Sequence, residues 1–372
     1  MNNTDPNHRK AIVGNPNASF WLYDSKTGFN LTHPATPSSP TPSPNYTVKT
    51  TTLPITIHPP ICALVIIDMQ NFFLSPNLGR PKDSKGLVAQ QQLLKYAIPA
   101  ARKAGIRIIW LNWGLTDQEV AEMPPGTLRA FGFETVLASE FACYDKVQRK
   151  QAAVDSHGVN EGCHQFPDPH IETSGKNPRI YKGLGTEVGP VVLDDGSTIQ
   201  GGRLLMRGTW NADLTPELKQ TYEADGKKAN PPDVWIHKNR MSGLWGQSTL
   251  CTEFLEKEGI KTLFFTGVNT DQCVGGSLQD VSSFSIIDLP PPPPLASTYF
   301  ITGVLNHYQV LSWLILDVVR DQAYSKGYDV ILLADGAGTT SPASSQESIE
   351  FNCAKTWGFC TSCKDFAEGL GL

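Results

Sequence analysis

Short apolar runs alternate with helical patterns along much of this chain. Order begins with ICALVII at 61–67, a continuous apolar run typical of a buried parallel strand, and the run ends at Asp68. Residues 87–104 place apolar side chains at helical spacing and stop at Gly105, just before a second apolar run at 106–111. These segments predict one strand–helix–strand unit.

A second alternating series occupies the C-terminal half. It predicts strands at 234–237, 262–266 and 329–334, and helices at 248–258, from about 271 and at 343–355. Strands that alternate with helices predict a parallel sheet with helices on both faces. The expected fold class is therefore α/β, a three-layer doubly wound fold with a mainly parallel central sheet.

Two long stretches depart from this pattern. Residues 1–60 are rich in Pro, Thr, Ser and Asn and have little apolar periodicity, so they predict a disordered arm in front of one domain at 61–372. Residues 116–233 form a long excursion of loop-like sequence with a hairpin pattern at 191–199. Because long stretches without regular structure are usually lids or binding loops, we expect this excursion to cover the strand ends.

The segment 281–322 interrupts a predicted helix. It contains five consecutive prolines at 290–294, through which neither a helix nor a central strand can run. If the segment is removed from the sequence and Asp280 is joined to Ala323, the resulting pattern predicts an ordinary helix, turn and strand. Two interpretations remain open: a native surface insertion, or an unspliced intron, because Val-Ser can encode a GTGAGT donor and Gln a CAG acceptor.

Composition and charge narrow the class of protein. The chain has 372 residues, 40% hydrophobic, with 31 basic against 36 acidic side chains and a net charge of -5, so a nucleic-acid partner is not expected. We find neither a signal-like apolar segment at the N-terminus nor a run of about 18 apolar residues, which predicts a cytoplasmic protein without a membrane span. Eight scattered cysteines suit a reducing compartment.

Three reactive side chains follow predicted strands: Asp68, Lys238 and Cys273. Because reactive groups gather beyond the carboxyl ends of parallel strands, the three can converge. A helix N-terminus and a nearby ammonium both favour a thiolate, and a carboxylate can shuttle its proton, which together make an amide-cleaving site. Taken singly, each has a structural explanation: a turn or cap, a solvated charge and a core thiol.

The surrounding motifs resemble those of the isochorismatase-like cysteine hydrolases. They are ALVIIDMQNFF, WIHKNRMSGLWGQSTLCTEFLEKEGIKTLFFTG, GVNTDQCVGGSLQD and GYDVILLADG, in the family's order. The resemblance implies the family's fold, a catalytic triad of Asp68, Lys238 and Cys273, and a thioester acyl-enzyme. It also implies a cis peptide at Val268–Asn269 that aims backbone amides at the substrate carbonyl as an oxyanion hole. The residues of that loop are Val268, Asn269, Thr270, Asp271 and Gln272.

Within the family, GRLLMRGTWNADLTPEL is similar to a segment of ureidoacrylate amidohydrolase-type members. Candidate substrate-binding residues are Asn71, Trp113, Trp210, Asn211 and Trp245. Nicotinamidase members of the family bind a metal through an Asp and His cluster after the second strand. Residues 112–131 of this chain contain no histidine, which argues against a nicotinamidase and against a zinc requirement. We therefore expect hydrolysis of a small amide or ureido compound, without metal or organic cofactor, by a homo-oligomer. The alternative is a catalytically impaired relative that acts as a binding or scaffold protein, because the insertion follows Cys273 closely.

Two cysteine- and histidine-containing patterns carry less weight. The spacing of His157, Cys163, His164 and His170 fits no standard zinc site, so we expect a solvated loop. Cys360 and Cys363 form a CxxC pair, but its context is neither a zinc pair nor a redox motif at the start of a helix after a strand.

Overall fold

The computed structural model describes residues 5–138, 144–145, 150–154, 160–165, 170–282 and 327–372. The chain divides into two compact units. The first consists of Met1–Met69, Asp83–Asn112 and Pro216–Leu372, and the second of Gln70–Lys82 and Trp113–Thr215. Nearly all of the predicted insertion at 281–322 lies outside the described residues.

The first unit opens with a five-stranded sheet. Its strands are β1 (Lys10–Gly14), β2 (Phe20–Asp24), β3 (Gly28–Asn30), β4 (Tyr46–Val48) and β5 (Ile55–Ile57), in the order β1-β2-β3-β5-β4. The prediction of a disordered arm over 1–60 is therefore wrong for this part of the chain. The Pro-, Thr-, Ser- and Asn-rich composition did not indicate that four apolar side chains of this part are fully buried: Leu31, Val48, Ile55 and Ile57.

The other strands follow in chain order. They are β6 (Cys62–Ile67), β7 (Arg107–Trp113), β8 (Phe133–Thr135), β9 (Tyr144–Asp145), β10 (Lys150–Val154), β11 (Asn160–Gln165), β12 (His170–Glu172), β13 (Pro190–Val192), β14 (Thr198–Gln200), β15 (Val234–Lys238), β16 (Thr262–Val268), β17 (Asp329–Gly338) and β18 (Phe359–Thr361).

The described residues also form ten α-helices. They are α1 (Asn71–Leu74), α2 (Lys85–Gln92), α3 (Ile98–Ala104), α4 (Asp117–Ala121), α5 (Pro125–Phe131), α6 (Pro216–Ala224), α7 (Leu250–Lys257), α8 (Gly275–Ser282), α9 (Ala343–Asn352) and α10 (Cys363–Gly369). Within the described ranges, no helix combines the length and the apolarity that a bilayer span requires.

The central sheet of the first unit has the order β15-β7-β6-β16-β17-β18. β6 pairs in parallel with β7 and with β16, and β17 pairs in parallel with β16 and with β18. Every residue of β6 and β16 is buried, which explains why both read as continuous apolar runs. The predicted α/β fold with a mainly parallel sheet is confirmed.

Chain order changes direction between β6 and β16. From β6 the chain moves through β7 to β15 at one edge, whereas β16, β17 and β18 move toward the other edge. Right-handed crossovers therefore put α2, α3 and α6 on one face and α7, α8 and α9 on the opposite face, giving three layers. The carboxyl ends of β6 and β16 form the topological switch point, where open α/β sheets usually bind their ligands.

The second unit has its own regular structure and aromatic core. The predicted hairpin at 191–199 is confirmed, because β13 and β14 pair antiparallel with Val191 opposite Ile199. The ring of Phe131 lies 5.2 Å from that of Trp113 and 6.0 Å from that of Phe72. For the described part of 116–233 the expectation of a structureless excursion is therefore wrong, because Phe131, Ile180 and Val191 are buried in a local core that the sequence pattern did not reveal.

Candidate functional site

Asp68, Lys238 and Cys273 meet at the carboxyl edge of the central sheet. Asp68 directly follows β6, Lys238 ends β15, and Cys273 lies in the π-helical turn Thr270–Val274 after β16. The Nζ atom of Lys238 is 3.0 Å from Oδ2 of Asp68 and 3.4 Å from Sγ of Cys273. The structure thus brings together all three side chains that the sequence proposed, with the lysine between the other two.

This group of side chains is closed off from solvent. The side chains of Lys238 and Asp68 are 1% and 0% exposed, and Cys273 is 3% exposed. Lys238 Nζ also donates to the backbone oxygens of Arg240 and Met241, each at 3.0 Å. The ammonium is therefore held in one place, and the interpretation of Lys238 as a solvated charge is wrong.

Backbone geometry at the switch point fixes the carboxylate. Asp68 has a φ of 55°, in the left-handed region, and its N–H donates to Leu111 O at 3.2 Å. On the neighbouring strand, Gly267 has a φ of 108°, and a Cβ at this position would overlap the backbone of Ile67. Only glycine permits this approach, so Gly267 brings the ends of β6 and β16 together.

The loop that carries Cys273 is tied to its surroundings. The Val268–Asn269 peptide bond is cis, at the position that the resemblance implies. The Thr339 hydroxyl donates to Asp271 Oδ1 at 2.5 Å. The amide of Gln272 donates to Asn269 O at 3.0 Å, so this N–H of the predicted oxyanion hole already has an acceptor. An oxyanion role for the other loop amides stays a prediction.

Two residues of the site were not anticipated from the sequence. Met241 places Sδ 3.7 Å from Cys273 Sγ, and Ser277 donates from Oγ to Cys273 O at 2.8 Å. Ser277 Oγ also accepts from the amide of Gly243 at 3.4 Å, so it links the cysteine loop to the segment after Lys238. Position in the motifs was the available signal: Met241 follows Lys238 by three residues, and Ser277 lies one helical turn after Cys273.

Four of the five candidate substrate-binding residues belong to the second unit. Asn211 is buried and uses both ends of its amide, accepting from Leu205 N at 2.8 Å and donating to Gly201 O at 2.8 Å. Trp113 is fully buried against Phe131. These contacts give both residues a structural role.

The other two candidates of the second unit touch each other, and the fifth lies in the first unit. Asn71 Nδ2 donates to Trp210 O at 2.9 Å. Trp245, in the first unit, is 40% exposed, and the guanidinium of Arg240 lies 5.0 Å from its ring centre. Substrate binding by these three residues stays a prediction.

The other described thiols differ from Cys273 in their surroundings. Burial, with the nearby Glu350 and Asp335 carboxylates, raises the pKa of Cys360 to about 12, and burial raises the pKa of Cys363 well above its ordinary value. Neither thiol has a cation within ion-pair distance among the described contacts. A neutral buried thiol is a poor nucleophile, so these surroundings do not favour either thiol of the CxxC pair as a nucleophile.

Metal ligation finds no support in the part of the chain that is described. No group of three or more His, Cys, Asp or Glu side chains there could hold an ion. His157 and the side chains of Cys163 and His164 lie outside the described residues, and His170 is exposed. The expectation of a site without metal stays a prediction.

Comparisons of sequence and of structure both find known proteins that are similar to this chain. The chain is 24% identical over 230 residues to the ureidoacrylate amidohydrolase of Caulobacter segnis, covering 61% of this chain and 69% of that protein. The resemblance to the isochorismatase-like family is confirmed. No family model matches the chain.

Solved structures of a cysteine hydrolase and of an isochorismatase family protein are also similar to this chain. A cysteine hydrolase from Pseudomonas syringae pv. phaseolicola is 15% identical with a TM-score of 0.41, covering 90% of this chain and 98% of that one. An isochorismatase family protein from Desulfovibrio vulgaris is 15% identical with a TM-score of 0.39, covering 84% and 99%.

Proposed function

We propose that this isochorismatase-like chain is a cysteine hydrolase that cleaves the C–N bond of a small amide or ureido compound. The observation that carries the proposal is the position of Lys238 Nζ, within 3.0 Å of Asp68 Oδ2 and 3.4 Å of Cys273 Sγ. A thiol, an ammonium and a carboxylate in contact are the parts that amide cleavage by a nucleophilic cysteine uses. The similarity to an amidohydrolase supports the same reaction class.

In the first half-reaction Cys273 is the nucleophile. The Lys238 ammonium favours the thiolate, and Asp68 takes up the thiol proton. Sγ attacks the substrate carbonyl carbon, the C–N bond breaks, and Asp68 returns the proton to the leaving nitrogen. The products are a free amine or ammonia and a thioester between the acyl group and Cys273.

In the second half-reaction water replaces the amine. Asp68 removes a proton from the water, the hydroxide oxygen attacks the thioester carbonyl, and the C–S bond breaks. The acid leaves and the thiolate re-forms beside Lys238. The oxygen that builds up negative charge in each step is stabilised by amides of the loop after Val268, other than that of Gln272.

Turnover of a substrate panel tests this proposal. Ureido acids, carbamoyl amines and aromatic amides are incubated with the protein, and the trapped enzyme is examined by mass spectrometry for an acyl adduct on Cys273. Cys273→Ala should abolish both turnover and adduct, whereas Cys360→Ala, which removes a buried thiol elsewhere, should retain both. Dialysis against a chelator should leave the rate unchanged.

The opposite results would support the alternative, a binding or scaffold protein. They are no turnover across the panel together with a Cys273 thiol that alkylates no faster than glutathione near neutral pH. Near-parental turnover by Cys273→Ala would exclude the covalent mechanism. Activity lost to a chelator and restored by zinc would show that a metal is required.

A further inference from the structure

The side chain of Asn112 occupies a central position at the edge where the triad lies. Asn112 is in β7, which lies between β15, the strand of Lys238, and β6, the strand that leads to Asp68. The amide of Asp68 donates to the carbonyl oxygen of Leu111, the residue before Asn112. Asn112 is therefore level with Asp68 along the sheet.

The carboxamide of Asn112 is buried and unsatisfied. Its exposure is 0%, and neither Oδ1 nor Nδ2 has a hydrogen-bond partner among the described residues. Buried side-chain amides nearly always have partners, because losing water without replacing it is unfavourable. Gln90, a buried amide elsewhere in the same unit, follows the rule and donates to Glu217.

A second polar group flanks Asp68 from the other side. Thr270 opens the π-helical turn after β16, the strand that pairs with β6 on the side away from β7. Its hydroxyl is buried and likewise has no partner among the described residues. One unsatisfied polar group therefore lies on each side of the Asp68 strand. Together the two groups indicate a polar ligand at this edge.

We propose that the Asn112 carboxamide binds the amide or ureido group of the substrate. Its Oδ1 accepts a substrate N–H, and its Nδ2 donates to the substrate carbonyl oxygen. A neutral carboxamide offers one acceptor and one donor side by side, which matches an uncharged amide better than an ion. This inference rests on the proposed function, because the group that Asn112 holds contains the bond that Cys273 attacks.

The inference narrows the substrate class. A carbonyl compound with an N–H on the same side as its C=O, as in a primary amide or the terminal NH2 of a ureido group, can satisfy both atoms of Asn112. An ester, a tertiary amide or a trans secondary amide leaves Oδ1 without a donor. A site built to bind an N–H discriminates strongly against analogues that lack it, because its own polar group stays unpaired. Primary amides and ureido compounds are therefore the expected substrates.

Alkylation of Cys273 tests the inference without requiring turnover. Chloroacetamide carries the N–H groups that Asn112 would bind, and N,N-dimethylchloroacetamide lacks them. The ratio of their rates at Cys273, divided by the same ratio for glutathione, measures amide recognition. The parent should prefer chloroacetamide by about 10-fold or more, and Asn112→Leu should bring the ratio close to that of glutathione.

Thermal stability provides the second measurement. Asn112→Leu and Asn112→Ala are compared with Gln90→Met, in which a buried amide that has a protein partner is replaced. Asn112→Leu should unfold at or above the parental temperature because it removes unsatisfied polar atoms. Gln90→Met should unfold lower because Glu217 Oε2 then keeps only the longer hydrogen bond from Gln91, at 3.4 Å.

Two results would overturn the inference. One is a chloroacetamide preference retained within twofold in Asn112→Leu or Asn112→Ala. The other is a loss of thermal stability in both variants as large as that of Gln90→Met, which would give Asn112 a structural partner. A parent that shows the amide preference but hydrolyses nothing would contradict the proposed function alone.

Discussion

The Lys238 ammonium lies 3.0 Å from the Asp68 carboxylate, and 1% and 0% of the two side chains are exposed. Water therefore solvates neither charge, and each is compensated by its protein contacts. Breaking such a pair is costly, because the charge that remains is buried alone.

Removing the cation should destabilise the fold as well as the activity. Lys238→Met is expected to lower the free energy of unfolding by about 3–5 kcal/mol, because Asp68 stays buried without its counter-charge. The double variant Asp68→Asn, Lys238→Met should recover part of this loss while remaining inactive. Urea denaturation followed by circular dichroism measures both. A Lys238→Met variant as stable as the parent would mean that solvent reaches the Lys238–Asp68 pair.

Thiol reactivity should separate Cys273 from Cys360 by pH. Only the thiolate reacts, and the pKa of Cys360 is raised from its ordinary 9.0 to about 12. In the native protein, iodoacetamide should modify Cys360 roughly 1000-fold more slowly than a free thiol below pH 9, and faster as the pH rises toward 12. Cys273 should react fast already near neutral pH.

Peptide mapping after alkylation at several pH values checks this difference, with the unfolded protein in urea as control. Unfolding exposes both thiols, so their rates should then become similar. Equal rates in the native protein would contradict the surroundings assigned to them.

The N-terminal sheet should be held in place by Asp329. This buried carboxylate accepts from Trp21 Nε1 at 2.6 Å and from Thr262 Oγ1 at 2.7 Å, and it contacts His33 Nε2 at 2.7 Å. Asp329→Ala should lower the free energy of unfolding by about 2–4 kcal/mol, because buried polar groups lose their partner.

Limited proteolysis reports the same change locally. The parent should resist cleavage between residues 10 and 57, and Asp329→Ala should be cut there faster. Asp195→Ala is the matched control, because that carboxylate lies in the exposed turn between β13 and β14. A parent that is rapidly cleaved in this range would restore the picture of a disordered arm.

Deleting the segment 281–322 should improve solubility. It contains the apolar runs FSIID and VLSWLILDVV, and apolar runs of this kind promote aggregation when they are exposed. A variant that joins Asp280 to Ala323 should be at least as active as the full chain. Soluble yield and turnover are the measurements. An unfolded deletion variant, or transcripts that consistently retain the stretch, would establish it as a native structural element.

Sequence patterns predicted the elements that are buried on both faces. β6 and β16 are continuous apolar runs because helices cover both sides of the sheet, and their short length of 6 and 7 residues distinguishes them from helices. The positions of Asp68, Lys238 and Cys273 followed from where such strands end.

The N-terminal sheet could not be predicted in the same way. Its strands are three to five residues long and lie among Pro and Thr, so no window shows a period. Their stability depends on distant partners, such as the Phe359 ring 5.4 Å from that of Trp21. Asn112 was equally hidden, since an unsatisfied amide is a property of the folded surroundings.

The three partners of Asp329 have a consequence for how this chain tolerates changes in length. Asp329 opens β17, shortly after the chain re-enters the described region at residue 327. Trp21, His33 and Thr262 hold that first residue, and β17 continues in parallel register beside β16. The register of β17 is therefore set locally, whatever the number of residues between α8 and this strand. We therefore expect that lengthening or shortening this connection would not displace the strand beside the nucleophile.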